Sequence, residues 1–271
     1  AETILFILLP PLLFEGAAAM DIGKLKQNWR PISMLAIPGV LINTTIIGVI
    51  CWKLVWPDED NGLLYGLLIG SILAATDPVS VLALVKTLGA PKRLSVLIEG
   101  ESLFNDGTAV VLFNILLLST LAVLAGQDLS VSALLTQGLG SFLFVVVVGA
   151  IAGLLCGLVA NWLLSQTEDH LVEIAITLAL AFGAFLLAEL LHGSGVISVV
   201  IAGLLVGNHG VKQDMTASAR IGMHHFWEVV VFLVNSVLFL LIGYELQAAL
   251  SWDAEMWELA AIGIAAALVA R

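Results

Sequence analysis

Apolar stretches long enough to cross a bilayer follow one another along most of this chain, with only short polar connections between them. A helix rises about 1.5 Å per residue, so roughly 20 apolar residues cross a hydrocarbon layer about 30 Å thick. No water inside that layer answers a peptide group, so such a chain must close its backbone hydrogen bonds within helices. Candidate spans run over about residues 3–20, 32–55, 62–85, 97–124, 139–164, 171–190, 195–208, 224–247 and 256–271. Composition excludes the ordinary soluble classes: 60% of residues are hydrophobic and 11% charged, against about 25% charged in a soluble domain. The expected class is an all-α polytopic membrane protein. No strict short repeat and no low-complexity linker divides it, so residues 1–271 are read as one membrane domain.

Pro, Gly and charge mark the connections, as in Trp56-Pro57-Asp58-Glu59-Asp60 and Gly89-Ala90-Pro91-Lys92-Arg93. Alternate connections hold Lys24, Lys26 and Arg30, then Lys86, Lys92 and Arg93, then none, then Lys212 and Arg220, while the opposite ones hold Asp58, Glu59, Asp60, Asp128, Asp253 and Glu255. Cytoplasmic loops retain Lys and Arg, so the first segment is expected to run from outside to inside. Trp29, Trp52, Trp56, Trp227, Trp252 and Trp257 lie near the proposed span ends and read as an interfacial aromatic belt. The chain opens at Ala1-Glu2-Thr3 and stops at Arg271 within an apolar run, so both ends read as truncated, with helices expected on either side. The net charge of −11 is divided between loops and apolar segments and by itself selects no partner. Cys51 and Cys156 sit in apolar stretches and read as small hydrophobes; neither a disulfide, a resident metal nor a cofactor is expected.

The chemistry is sought where ionisable groups would lie at membrane depth, because each costs a few kcal/mol there. The densest such cluster is Glu99-Gly100-Glu101-Ser102-Leu103-Phe104-Asn105-Asp106-Gly107-Thr108. On a helix Ser102 and Asp106 share one face and Glu101 and Asn105 another, so the spacing separates an Asp106 and Ser102 side toward a pathway from a Glu101 side toward protein. Desolvation disfavours a charged carboxylate, which would let Asp106 exchange a proton for a metal cation. Ser102 and Thr108 alone read equally well as hydrogen-bonding partners of neighbouring helices. A second interruption is Ala74-Ala75-Thr76-Asp77-Pro78-Val79-Ser80. Pro78 lacks an N–H and restricts its predecessor, so the helix is expected to break or kink at Asp77, leaving carbonyls that are hard ligands for an alkali cation. Glu15 is a lone acid in a proline-kinked span, read either as functional or as interfacial. Arg271 reads either as a buried partner for Glu101 or as a membrane-exit arginine. His224, His225, Glu189 and His192 carry only the reading of interfacial or water-accessible groups.

Thr76-Asp77-Pro78 in one span and Gly100-Glu101-Ser102-Leu103-Phe104-Asn105-Asp106-Gly107 in the next, preceded by Leu12-Leu13-Phe14-Glu15-Gly16, resemble the sodium/proton antiporters of the NhaP and NHE branch of the cation:proton antiporters. The resemblance extends over about residues 3–271. It implies about nine spans of a fold of about 12–13 helices with broken core helices and inverted repeats. Core-like spans would cover about 32–124 and 224–271, and scaffold or linker-like spans about 3–20 and 139–208. It also implies a homodimer in which a mobile core exposes one site alternately to each side of the bilayer. By the same resemblance Asp106 binds cation or proton; Asp77, the Thr76 carbonyl, Ser102 and Glu15 complete the cation site. Asn105 and Pro78 support the broken helix, and Glu101 pairs with Arg271. An Asn-Asp pair in this family goes with electroneutral exchange.

The function expected is therefore secondary antiport of Na+ or Li+ against H+, in the inner (cell) membrane of a bacterium, serving sodium transport and pH homeostasis. The alternatives are a K+/H+ antiporter, or a channel or non-transporting membrane sensor on the same fold. An enzyme is not expected, since His-Glu-x-x-His, Gly-x-Ser-x-Gly and Gly-x-Gly-Asp are all missing from the sequence. No nucleic-acid partner is expected either.

Overall fold

The computed structural model describes residues 2–76, 81, 84–85, 87–89, 91–126, 131–167, 169–210, 217–249 and 254–270. The described chain is helical: α1 Glu2–Ala19, α2 Ile22–Gln27, α3 Trp29–Met34, α4 Val40–Val55, α5 Gly62–Ala74, α6 Lys92–Leu124, α7 Val131–Leu164, α8 His170–Leu190, α9 Gly195–Asn208, α10 Ala217–Ala249 and α11 Ala254–Ala270. Five segments are long and apolar enough to cross a membrane: Trp29–Val55, Arg93–Leu124, Gly140–Leu164, His170–Leu190 and Arg220–Leu246. Four further apolar helices, Phe6–Ala19, Gly62–Ala74, Gly195–Asn208 and Met256–Ala270, are shorter. Each of the expected segments therefore has a helix, while a span count of nine goes beyond what helix length establishes. The Trp29–Val55 segment passes through a π-helical turn at Leu35–Gly39, where Pro38 cannot donate its backbone hydrogen bond.

The third expected span is divided. Helix α5 ends at Ala74, and Ala75 is extended with φ −63° and ψ 144°, so the chain leaves the helix two residues before the position expected from Pro78. Asp77 and Pro78 themselves lie outside the described residues, as does Arg271.

Two compact units divide the chain, one of residues 1–27 and 144–247 and the other of residues 28–143 and 248–271. In the second unit α4 and α5 meet backbone to backbone: a Cβ on Gly66 would stand 2.2 Å from the Gly48 carbonyl oxygen, and one on Gly70 2.4 Å from that of Thr44. Only glycine permits that approach, which small residues commonly provide between membrane helices. Val40, Ala74 and Ala109 pack together at the end of α5, so the break begins where three helices are held in contact. Cys51 packs with Ile47 and Ala266 as a small apolar side chain.

In the first unit the Asn208 side chain joins α9 to the end of α1, donating to the Met20 carbonyl at 2.8 Å and accepting from the Ile22 N–H at 3.1 Å. The start of α9 is capped twice: Ser194 Oγ accepts from the Ile197 N–H at 3.3 Å, and Glu189 Oε1 from the Gly195 N–H at 3.1 Å. Trp227 departs from the expected aromatic belt. It is 2% exposed, its Nε1 donates to Thr177 Oγ1 at 3.1 Å, and its ring centroid lies 4.8 Å from that of Phe14. The indole thus joins α1, α8 and α10 in a core, because its N–H finds a hydroxyl there and needs no interfacial water.

Candidate functional site

Ala75 turns the chain out of α5, so the peptide groups of Thr76 have no helical partners, and α6 supplies them. The Thr76 N–H donates to Asn105 Oδ1 at 3.4 Å, and the Thr76 carbonyl accepts from Ser102 Oγ at 2.8 Å. The Thr76 hydroxyl donates to the Glu101 carboxylate, 3.2 Å from Oε1 and 3.3 Å from Oε2, and accepts from Asn105 Nδ2 at 2.5 Å. Asn105 Nδ2 uses its other hydrogen on Glu101 Oε1 at 2.6 Å. Every polar atom of Asn105 is thereby engaged, and two oxygens facing Nδ2 fix the orientation of the amide.

Helical spacing explains why one helix can do this. Glu101 and Asn105 are four residues apart and stack on one face, with Ser102 beside them. Asn105 is fully buried and Ser102 nearly so. An unanswered peptide group at such depth costs about 1–3 kcal/mol, so the three side chains stabilise a break that would otherwise be unfavourable. Ser102 consequently faces Thr76 together with Glu101 and Asn105, contrary to the expected division that set it apart from Glu101, because its hydroxyl answers the Thr76 carbonyl. The Thr76 carbonyl and Ser102 Oγ, both expected around a cation, are adjacent oxygens, and a carbonyl keeps a second lone pair for an ion.

Asp106 follows Asn105 on α6, half-buried. Glu15 is half-buried on α1, in the unit of residues 1–27 and 144–247. Of the residues singled out from sequence, the structure brings together Thr76, Glu101, Ser102 and Asn105. Asp77, Pro78 and Arg271 are outside the described residues, so the proposed Glu101 to Arg271 pair has no geometry here. No cluster of three or more metal-ligating side chains occurs among the described residues.

Sequence reasoning passed over Glu173. This side chain on α8 is 0% exposed, and neither carboxyl oxygen makes a hydrogen bond. The signal was present, since Glu173 interrupts the apolar run Leu171-Val172-Glu173-Ile174-Ala175-Ile176. A place near the start of a span also suits an interfacial acid, and only packing shows Glu173 buried.

Residues 1–271 match the family described as "Sodium/hydrogen exchanger, transmembrane". The chain is 43% identical over 270 residues to the low-affinity Na(+)/H(+) antiporter NhaS1 of Synechocystis sp., covering 100% of this chain and 49% of that protein. It is 44% identical over 246 residues to the Na(+)/H(+) antiporter ApNhaP of Aphanothece halophytica, covering 91% of this chain and 45% of that one. Among solved structures, the sodium proton antiporter MjNhaP1 of Methanocaldococcus jannaschii superposes with a TM-score of 0.66 at 22% identity, over 83% of this chain and 52% of that one. That likeness speaks for the fold. The chain spans about half the length of the curated relatives it matches.

Proposed function

Because this chain belongs to the transmembrane sodium/hydrogen exchanger family, we propose that it carries the ion site of a secondary antiporter exchanging Na+ or Li+ for H+ by alternating access. The observation that carries this reading is the set of hydrogen bonds by which Glu101, Ser102 and Asn105 hold Thr76 against the helix of Asp106. Such a clamp keeps backbone and hydroxyl oxygens beside an acid in an apolar helix, the donor set a weakly bound alkali cation requires.

In the proposed cycle Na+ and H+ compete for Asp106. Either one neutralises the carboxylate, and a neutral site changes its access to the two sides of the bilayer far more readily than a charged one. Asn105 adds no charge, since a carboxamide does not ionise, and its place in the clamp beside Asp106 supports an electroneutral exchange of one cation for one proton. Asp77, the Thr76 carbonyl, Ser102 and Glu15 are proposed to complete the cation site, with Pro78 and Asn105 maintaining the break and Arg271 balancing Glu101. The core role is proposed for the spans of about residues 32–124 and 224–271, the first of which holds the clamp. The working protein is proposed to be a homodimer in the cell membrane of a bacterium.

The test is cation-driven proton flux in proteoliposomes of the full-length protein, wild type against Asp106→Asn, under Na+, Li+ and K+. Flux with Na+ or Li+ that disappears in the variant is the expected result. Undiminished exchange by Asp106→Asn would remove the mechanism, and wild-type flux driven by K+ alone would establish the K+/H+ alternative.

A further inference from the structure

Glu173 is hard to explain as a stabilising residue. It is 0% exposed, and both of its oxygens lack a hydrogen-bond partner. An ionised carboxylate so placed has no protein donor and no contact with bulk solvent to hold its charge, whereas an acid that keeps its proton avoids that cost. Even the neutral acid leaves its O–H and C=O unanswered, and an apolar side chain of similar volume would fill the site at lower cost. A buried polar group that serves no purpose in one conformation is a pointer to another.

Among the described residues no cationic side chain hydrogen-bonds Glu173. Asp169 and His170 stand one turn earlier at the head of α8. Of the helices near α8, α9 carries no titratable side chain and α7 only Cys156, while α1 carries Glu2 and Glu15. Helix α10 carries Arg220, His224, His225, Glu228, Tyr244 and Glu245; His224 and His225 lie beside Glu228 instead, at 3.5 and 3.2 Å. None of these groups hydrogen-bonds Glu173.

One helical turn beyond Glu173, on the same face, lies Thr177. Its hydroxyl donates to the Ile174 carbonyl at 2.8 Å and accepts from Trp227 Nε1, whose ring packs on Phe14. Glu173 therefore sits beside the contact that joins α1, α8 and α10. A charge appearing there would demand water and loosen that contact.

We propose that Glu173 is a second proton-binding residue of this chain, distinct from Asp106: it carries a proton while sealed in this conformation and releases it when the helices part and water reaches it. In the release step the carboxyl O–H bond breaks, the proton passes to water, and the remaining carboxylate is solvated by that water. Rising pH then favours the opened arrangement of the first unit independently of cation competition at Asp106. The effect on transport rests on the antiporter reading, whereas the protonation does not.

The test has two arms on the full-length protein. Infrared difference spectroscopy of purified wild type at neutral pH should show a protonated-carboxyl C=O band that is lost in Glu173→Gln and retained in Asp106→Asn. A wild-type spectrum without a band assignable to Glu173, by this substitution or by isotope-labelled glutamate if the variant does not fold, would overturn the proposal whatever the protein transports. In the second arm, Na+-driven proton flux is followed across pH. Glutamine imitates the neutral acid, so Glu173→Gln should match wild type at the acid end and lose the alkaline limb of the profile, moving its half-maximal pH by about one unit. Glu173→Asp should restore that limb. Profiles that superimpose, or a uniform loss at every pH in both variants, would overturn the gating role. Wild-type protein without flux would instead count against the antiporter reading and leave the infrared result to decide protonation.

Discussion

Asn105 and Glu173 are both fully buried polar side chains in apolar helices, and the fold treats them in opposite ways. Asn105 sits in the unit of residues 28–143 and 248–271 with every polar atom engaged, its amide holding Thr76 and Glu101. Glu173 sits in the unit of residues 1–27 and 144–247 with neither oxygen answered. A satisfied polar network in a low-dielectric interior fixes one geometry, whereas an unsatisfied group is a standing cost recovered only in a different state. Burial alone thus does not tell a structural polar residue from one reserved for a change of conformation; the inventory of hydrogen-bond partners does.

The comparison can be broken or sharpened by substitution in the full-length protein. The largest effect belongs to transport: Asp106→Asn should reduce Na+-driven proton flux to the background of empty liposomes while leaving thermal stability in detergent near that of wild type. Loss of both together would mean that Asp106 belongs to the clamp. Next, Asn105→Ala breaks three hydrogen bonds and strands the Thr76 N–H, so denaturant unfolding should show a loss of about 2–4 kcal/mol. The sign should reverse at the other residue. Glu173→Leu removes an unanswered carboxyl at similar volume, and the same measurement should show stability unchanged or raised by about 1–2 kcal/mol. A destabilisation equal to that of Asn105→Ala would erase the contrast. The smallest effect is that of Ser102→Ala, about 1 kcal/mol, because the Thr76 carbonyl loses one donor. Flux assays on that variant should show a raised KM for Na+ with the maximal rate retained.

Much of the site was legible because it lies within one turn and a half of one helix. The run from Glu101 to Asp106 announces itself as acids in an apolar segment, and the 3.6-residue repeat places Asn105 over Glu101 without any structure. Pro78 likewise announced a break, since its missing N–H is a property of the residue itself. The break's true start at Ala75 was not legible, because it depends on what α6 offers Thr76 across a separation of 29 residues. Trp227 misled for a related reason: near a span end an indole suits an interface, and only the Thr177 hydroxyl, 50 residues away, makes burial favourable.

The sequence by itself therefore determined the helical membrane class, the succession of apolar helices and the polar run from Glu101 to Asp106, since hydropathy and helical periodicity are local properties of the chain. Only the tertiary structure decided which polar groups are answered. It closed the Asn105 amide on Thr76 and Glu101, drew Trp227 into a core and sealed Glu173 without a partner. The physical reason is that a hydrogen bond at membrane depth depends on which helix lies opposite, and that pairing comes from packing between residues far apart in the chain.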